Sequence, residues 1–335
     1  MSFLSIRNAY SQLFPPKPFF TEKEIPTQQG RIFIITGGNS GIGFELCKIL
    51  YGTGATIYMT SRSKGRAIAA IKTIVEARPA PKTPGQLKFL ELDLNDLESV
   101  KRAAATFGQQ ESRLHVLWNN AGTGANMVDP GSKTAQGFEA MVGMHCIATL
   151  LFTKLLLAQL QATAGLETPG STRVVWTSSF LAEGGSPPNG VDFKSLAEGT
   201  KDRIRNYAVS KAGTWMLCRE WAQRYGGDGI VSVVQNPGNL KAGSYAGTPA
   251  ITMFLISPLL HEARFGAYTG LYAGLSSDIS LENNGAYIIP WGRIREDKDC
   301  PRKDILKAML PLEEGGLGYS AKLWQWCEEQ WKQYL

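Results

Sequence analysis

Four apolar residues, Ile32-Phe33-Ile34-Ile35, run straight into Thr36-Gly37-Gly38-Asn39-Ser40-Gly41-Ile42-Gly43. This junction constrains the fold more than any other stretch of the chain. The apolar run is mostly β-branched and reads as a strand buried on both faces, the form strands take in a parallel sheet. Beyond the glycines, Phe44-Glu45-Leu46-Cys47-Lys48-Ile49-Leu50 spaces its apolar residues at helical intervals. Strand, glycine turn and helix together open a dinucleotide-binding unit. Glycines allow the tight turn, let backbone N–H groups approach a pyrophosphate, and let helix and strand pack closely. The helix start then faces the phosphates with unpaired donors and partial positive charge. Gly37, Asn39, Ser40, Gly41, Ile42 and Gly43 are the cofactor candidates of this turn.

The rest of the chain alternates in the same way. Strands are predicted over 55–60, 87–94, 114–118, 173–177, 230–234 and 286–289. Helices are predicted over 65–77, from a capping box at 95–98 through 107, and over 136–162 and 205–225. This pattern implies an α/β fold, a Rossmann-type doubly wound parallel sheet of about seven strands with helices on both faces. Residues 1–29 carry Pro15, Pro16, Pro18 and Pro26 and read as an irregular lead-in. Residues 30–335 read as a single domain, with inserts over 184–201 and 244–270 and a C-terminal helical extension.

Composition narrows the partners. Apolar residues make up 43% and charged residues 19% of 335, which suits a soluble globular protein. The net charge of +6 comes without a Lys/Arg cluster, which argues against nucleic acid as a partner. Cys47, Cys146, Cys218, Cys300 and Cys327 are scattered with no CxxC pair, so reduced thiols and no metal site are expected. The N-terminus lacks a signal-peptide core, and no apolar run reaches membrane-spanning length. A cytoplasmic location without a transmembrane segment is the expectation.

Five motifs recur in fixed order: TGGNSGIG at 36–43, Asp93, NNAG at 119–122, a serine pair at 178–179 with YAVSK at 207–211, and NPG at 236–238. Over residues 30–290 this set resembles the classical short-chain dehydrogenase/reductase family. The tail around Leu323-Trp324-Gln325-Trp326-Cys327 and the proline-rich lead-in resemble its retinol-dehydrogenase-like branch among fungal metabolic enzymes. Tyr207 and Lys211 lie four apart, hence on one helix face. A phenol exchanges protons poorly near pH 7, and a neighbouring ammonium favours its phenolate. The resemblance implies that Tyr207 protonates a carbonyl oxygen, that Lys211 tunes it and bonds the nicotinamide ribose, and that Ser179, ahead of its rival Ser178, polarises the substrate. It places Asp93 and Leu94 at the adenine and Asn120, Ala121 and Gly122 along the adenosine; bracing of the strand is an equal reading of Asn119. Pro237, Gly238 and Leu240 fall at the nicotinamide end. Ser61-Arg62 replaces the acidic residue of NAD-preferring relatives. Arg62 suits a 2′-phosphate, so NADP(H) is favoured over NAD(H).

Two positions depart from the family pattern. His145 stands where an asparagine usually holds a relay water, giving either a modified relay or a packing histidine. Ala242 replaces a threonine that bonds the carboxamide, with Ser244 nearby. The two inserts, as lid candidates, carry Phe180, Phe193, Tyr245, Phe254 and Leu255 in or beside them; these suit a bulky hydrophobic ketone or alcohol, or else pack the loops. The leading reading is an NADP(H)-dependent carbonyl reductase or alcohol dehydrogenase in secondary metabolism. Its rivals are non-redox isomerisation or cyclisation on the same fold, motivated by His145 and Ala242, and a cofactor-binding protein without turnover. The family's homodimer pairs the helices at 136–162 and 205–225. Here the C-terminal extension competes for that surface, and the sequence leaves the oligomeric state open.

Overall fold

A computed structural model describes residues 3–241, 253 and 257–334. Ala242, Ser244, Tyr245, Phe254 and Leu255, with the rest of 244–252 and 254–256 of the second insert, lie outside the described residues. The strands are β1 (Ile32–Ile35), β2 (Thr56–Ser61), β3 (Gln86–Glu91), β4 (Val116–Asn119), β5 (Thr172–Thr177), β6 (Ile230–Gln235), β7 (Tyr287–Ile289) and β8 (Arg293–Arg295). They form one eight-stranded sheet in the order β3-β2-β1-β4-β5-β6-β7-β8, parallel except for the β7–β8 pair. The order reverses between β1 and β4, the switch point beside which such sheets bind nucleotides. The sequence reading missed β8. It is three residues long, too short for its Arg-Ile-Arg alternation to register as a strand pattern.

Alternation along each strand divides the core. Phe33 and Ile35 of β1 belong to the layer on one face, while Ile34 belongs to the layer on the other. Val116 and Trp118 share the first layer, and Leu117 shares the second. All of these side chains are fully buried, and each contributes about 1.5–3 kcal/mol through burial. The helices α2 (Gly41–Tyr51) and α3 (Lys64–Val75) cover one face; α4 (Leu97–Gln110) covers the other.

The predicted helix over 136–162 is interrupted. It starts at α5 (Ala140–Val142), where Glu139 Oε2 accepts the Val142 N–H, and continues as a π-helical turn over Gly143–Ala148 that carries His145. It resumes as α6 (Thr149–Leu155) and, past a break at Leu156, as α7 (Leu157–Ala164). Among the described residues no single helix is long and apolar enough to cross a membrane. Downstream come α8 (Leu181–Gly184), α9 (Arg203–Tyr225), α10 (Ala263–Leu275), α11 (Lys303–Met309) and α12 (Tyr319–Trp331). The asparagine of the expected capping box does not cap α4; Asp96 does, accepting from Glu98 N–H.

Two expectations change, and one point that the sequence left open gains a structural observation. The lead-in is not irregular throughout, because Phe3–Leu13 forms α1, which ends just ahead of Pro15. The first insert, read as a lid candidate, is fastened down, and none of residues 184–201 lines the cavity described below. Arg302 donates to the carbonyls of Glu183 (2.7 Å) and Pro187 (2.8 Å), and Asn189 N–H donates to Asp304 (2.8 Å), fastening it to the C-terminal extension. Phe193 packs edge-on against Tyr319 at 5.1 Å instead of facing a substrate. Finally, α12 buries Leu323, Trp324, Cys327 and Trp331 in the layer that holds α6 and α9, covering the face by which the family resemblance implies a homodimer.

Candidate active site

Neighbouring strands hold the glycine turn. Gly38 N–H donates to the Thr60 carbonyl at 3.0 Å and Gly37 N–H to Thr60 Oγ1 at 3.3 Å. Ala121 N–H donates to Thr36 Oγ1 at 2.8 Å, and Asn120 Nδ2 donates to the Thr36 carbonyl at 2.9 Å. The end of β2 and the third motif thus lock the first. Asn119 braces the strand end instead, donating to Thr153 Oγ1 at 2.9 Å. A Cβ on Gly43 would lie 2.4 Å from the Gly37 carbonyl oxygen, so only glycine lets α2 pack this close. α2 begins at Gly41, which leaves its first backbone N–H groups without helical partners.

A cavity of about 800 Å³ runs from this turn across the carboxyl ends of the strands. At one end lie Gly37, Asn39, Ser40, Gly41 and Ile42, with Arg62, Asp93 and Leu94 beside them. Asn120, Ala121 and Gly122 line the middle. Ser179, Tyr207, Lys211, Pro237, Gly238 and Leu240 line the far end. Two candidates do not line it. Gly43 lies beneath the turn, and His145 stands behind Gly122, where a Cβ would come within 2.9 Å of the imidazole Nε2 and 3.3 Å of Lys211 Nζ.

Tyr207 and Lys211 lie one turn apart on α9, with Lys211 Nζ 5.6 Å from the Tyr207 ring centre. Lys211 Nζ donates to the Thr177 carbonyl at 3.0 Å, and burial pulls its ammonium down to a pKa of about 8. The two serines differ in where their hydroxyls go. Ser178 is buried and its Oγ donates to the Lys211 carbonyl at 2.8 Å, so its proton is committed. Ser179 Oγ accepts from Leu181 N–H at 3.2 Å, a bond that leaves its own proton to donate.

His145 is fixed by both ring nitrogens. Thr123 N–H donates to Nε2 at 3.1 Å, so Nδ1 carries the proton and donates to Ser210 Oγ at 2.8 Å. Ser210 Oγ in turn donates to the Tyr207 carbonyl at 2.8 Å. Burial first, and the Lys211 charge second, hold the imidazole well below its usual pKa, hence neutral. Asp93 Oδ1 accepts from the backbone and side-chain N–H groups of Asn95, at 3.0 and 3.2 Å, while the residue still borders the cavity.

The family model for short chain dehydrogenase matches residues 31–191. A short-chain dehydrogenase/reductase of Pestalotiopsis fici, iacJ, is 46% identical over 99% of this chain and 99% of its own. The chain belongs to the short-chain dehydrogenase/reductase family. A second relative, bet4 of Neocamarosporium betae, is 40% identical over 98% of this chain and 94% of its own. Among solved structures, an uncharacterized protein from Mycobacterium paratuberculosis superposes with a TM-score of 0.67 at 26% identity, covering 94% of this chain and 97% of its own.

As a short-chain dehydrogenase/reductase the protein is an oxidoreductase that binds an NAD(P) nucleotide, and the cradle fits one. The glycine turn has no room for side chains at Gly37 and Gly43, and the helix N-terminus stands over the near end of the cavity. Sequence reasoning missed Arg66, exposed at the cavity rim beside Arg62. Its position four residues on, in the first turn of the next helix, was the available signal. Also missed were Met127, Val128, Met144, Leu181 and Ile204, which line the cavity with Phe180.

Proposed function

We propose that this short-chain dehydrogenase/reductase is an NADP(H)-dependent carbonyl reductase or alcohol dehydrogenase, cytoplasmic, acting on a bulky hydrophobic ketone or secondary alcohol. The observation that carries the reading is the single cavity with Arg62 and Arg66 at one end and Ser179, Tyr207 and Lys211 at the other. The bound cofactor supplies or takes up the hydride. Tyr207 gives its proton to the substrate oxygen as that oxygen gains charge, and Ser179, its hydroxyl proton uncommitted, orients the same oxygen. Lys211 holds a positive charge beside the phenol and favours its ionised form. His145 keeps the frame: with both nitrogens engaged it ties the 122–123 turn to α9, and we assign it no proton relay. Methionine, leucine, isoleucine and phenylalanine on the substrate side support a hydrophobic ligand. Fungal relatives matched over 99% and 94% of their own length support a place in secondary metabolism.

The test is NADPH consumption against a panel running from small ketones to bulky polycyclic ones. Turnover is expected for the bulky members. NADPH binding with no oxidation by any carbonyl in the panel would sink the reading.

A pH profile adds a second check. The Lys211 ammonium is present below its pKa of about 8 and is lost above it. The reductive rate is therefore expected to fall as pH rises through about 8. A rate that holds level well beyond that point would show that the lysine charge is not required.

A further inference from the structure

A chain of buried side-chain hydrogen bonds runs beneath α1, and every member but Glu183 lies outside the region matched by the family model. Arg295 of β8 pairs with Glu183 Oε1, both side chains 3% exposed. Asn8 Nδ2 donates to Glu183 Oε2 at 2.8 Å, and Gln12 Nε2 donates to Asn8 Oδ1 at 3.1 Å. Asn236 Nδ2 donates to Gln12 Oε1 at 2.8 Å, and Gly238 N–H donates to Asn236 Oδ1 at 3.1 Å. Both ends of this chain bear on the cavity. Glu183 belongs to α8, which begins two residues after Ser179. Asn236, Pro237 and Gly238 form the turn after β6 and line the far end.

The order of donors and acceptors is forced. Glu183, paired with Arg295, accepts, so Asn8 must present Nδ2 to it and Oδ1 to Gln12. Gln12 then has only Oε1 left for Asn236, whose own oxygen is left for Gly238 N–H. Reversing any one amide sets donor against donor or acceptor against acceptor in a buried site.

The outer face of α1 shows that the helix is not there as hydrophobic cover. Ile6 is 56% and Tyr10 65% exposed, while Asn8 and Gln12 are 8% and 3% exposed. An ordinary surface helix turns its apolar stripe inward. This one turns its amides inward, and what it adds is direction.

We infer that Asn8 and Gln12 are positioning residues of the active site: Gln12 orients the Asn236 amide and with it the 236–238 turn, and Asn8 holds α8 behind Ser179. The inference rests on the cofactor reading given above.

The test uses the full chain and NADPH binding read by cofactor fluorescence, with circular dichroism to show that each variant is folded. Gln12→Leu leaves the Asn236 amide buried without its acceptor, and an approximately tenfold weaker NADPH affinity is expected. In an Asn236→Ala background the same substitution is expected to cost nothing further, a coupling that a general loss of packing would not produce. Tyr10→Ser, on the outer face, is expected to leave binding unchanged.

Folded Gln12→Leu that binds NADPH like wild type, or an undiminished Gln12→Leu cost when Asn236 is alanine, overturns the inference. Should Gln12→Leu not fold, Asn236→Asp breaks the same bond from the turn. Its oxygens can take the Gly238 N–H but cannot donate to Gln12 Oε1, and unchanged affinity in that variant overturns the inference equally. Wild type that binds neither NADPH nor NADH would instead overturn the cofactor reading, and the inference about Gln12 with it.

Discussion

Tyr207→Phe is expected to lower kcat by about 10²–10⁴-fold, the range a positioned general acid contributes, while NADPH still binds. The substitution removes one oxygen and keeps the ring. The ring sits edge-on to His145, with centres 5.9 Å apart, and that contact survives in phenylalanine. The backbone carbonyl that Ser210 bonds is untouched. Lys211 keeps its bond to Thr177. What disappears is the hydroxyl that gives a proton to the substrate oxygen, so the loss should fall on kcat and leave the cofactor dissociation constant alone. Steady-state kinetics beside a binding titration read both. A kcat reduced by less than about tenfold would remove Tyr207 from the acid role.

The double variant Arg62→Ala with Arg66→Ala is expected to weaken NADPH by up to about 25-fold and leave NADH nearly unchanged, each guanidinium–phosphate contact being worth up to about fivefold at an exposed site. Both arginines are exposed at the rim of the cavity, one just beyond β2 and the other in the first turn of α3. No aspartate or glutamate follows β2 to take a ribose diol, so the wild-type chain has nothing there that selects NADH. The ratio of the two affinities is the readout, since general damage would weaken both. An unchanged ratio would make the pair ordinary surface charges. Because the contacts are exposed, the wild-type preference is expected to shrink as salt rises.

The comparison of sequence with structure turns on how far apart in the chain the deciding groups lie. Glycines at 37, 41 and 43, the apolar runs of the inner strands and the four-residue spacing of Tyr207 and Lys211 are local patterns. Each is tied to one backbone geometry, so the parallel sheet, the glycine turn and the shared helix face of Tyr207 and Lys211 on α9 were all legible. Where Gly43 misled, it did so mildly: its pattern belongs to the cofactor turn, but its work is close packing under that turn.

What the sequence by itself determined is thus the family, the sheet and which side chains to propose for the chemistry, because period-two and helical spacing and glycine backbone freedom act over a few residues. Only the tertiary structure decided which serine has a proton to give, since that depends on Lys211 O meeting Ser178 across 33 residues. It alone fixed the tautomer of His145, through Thr123 and Ser210 on different elements. It alone turned a proline-rich lead-in into a helix whose amides reach Glu183 and Asn236, 175 and 224 residues away. A buried hydrogen bond is specified by both partners at once, and a pattern read along the chain holds only one of them.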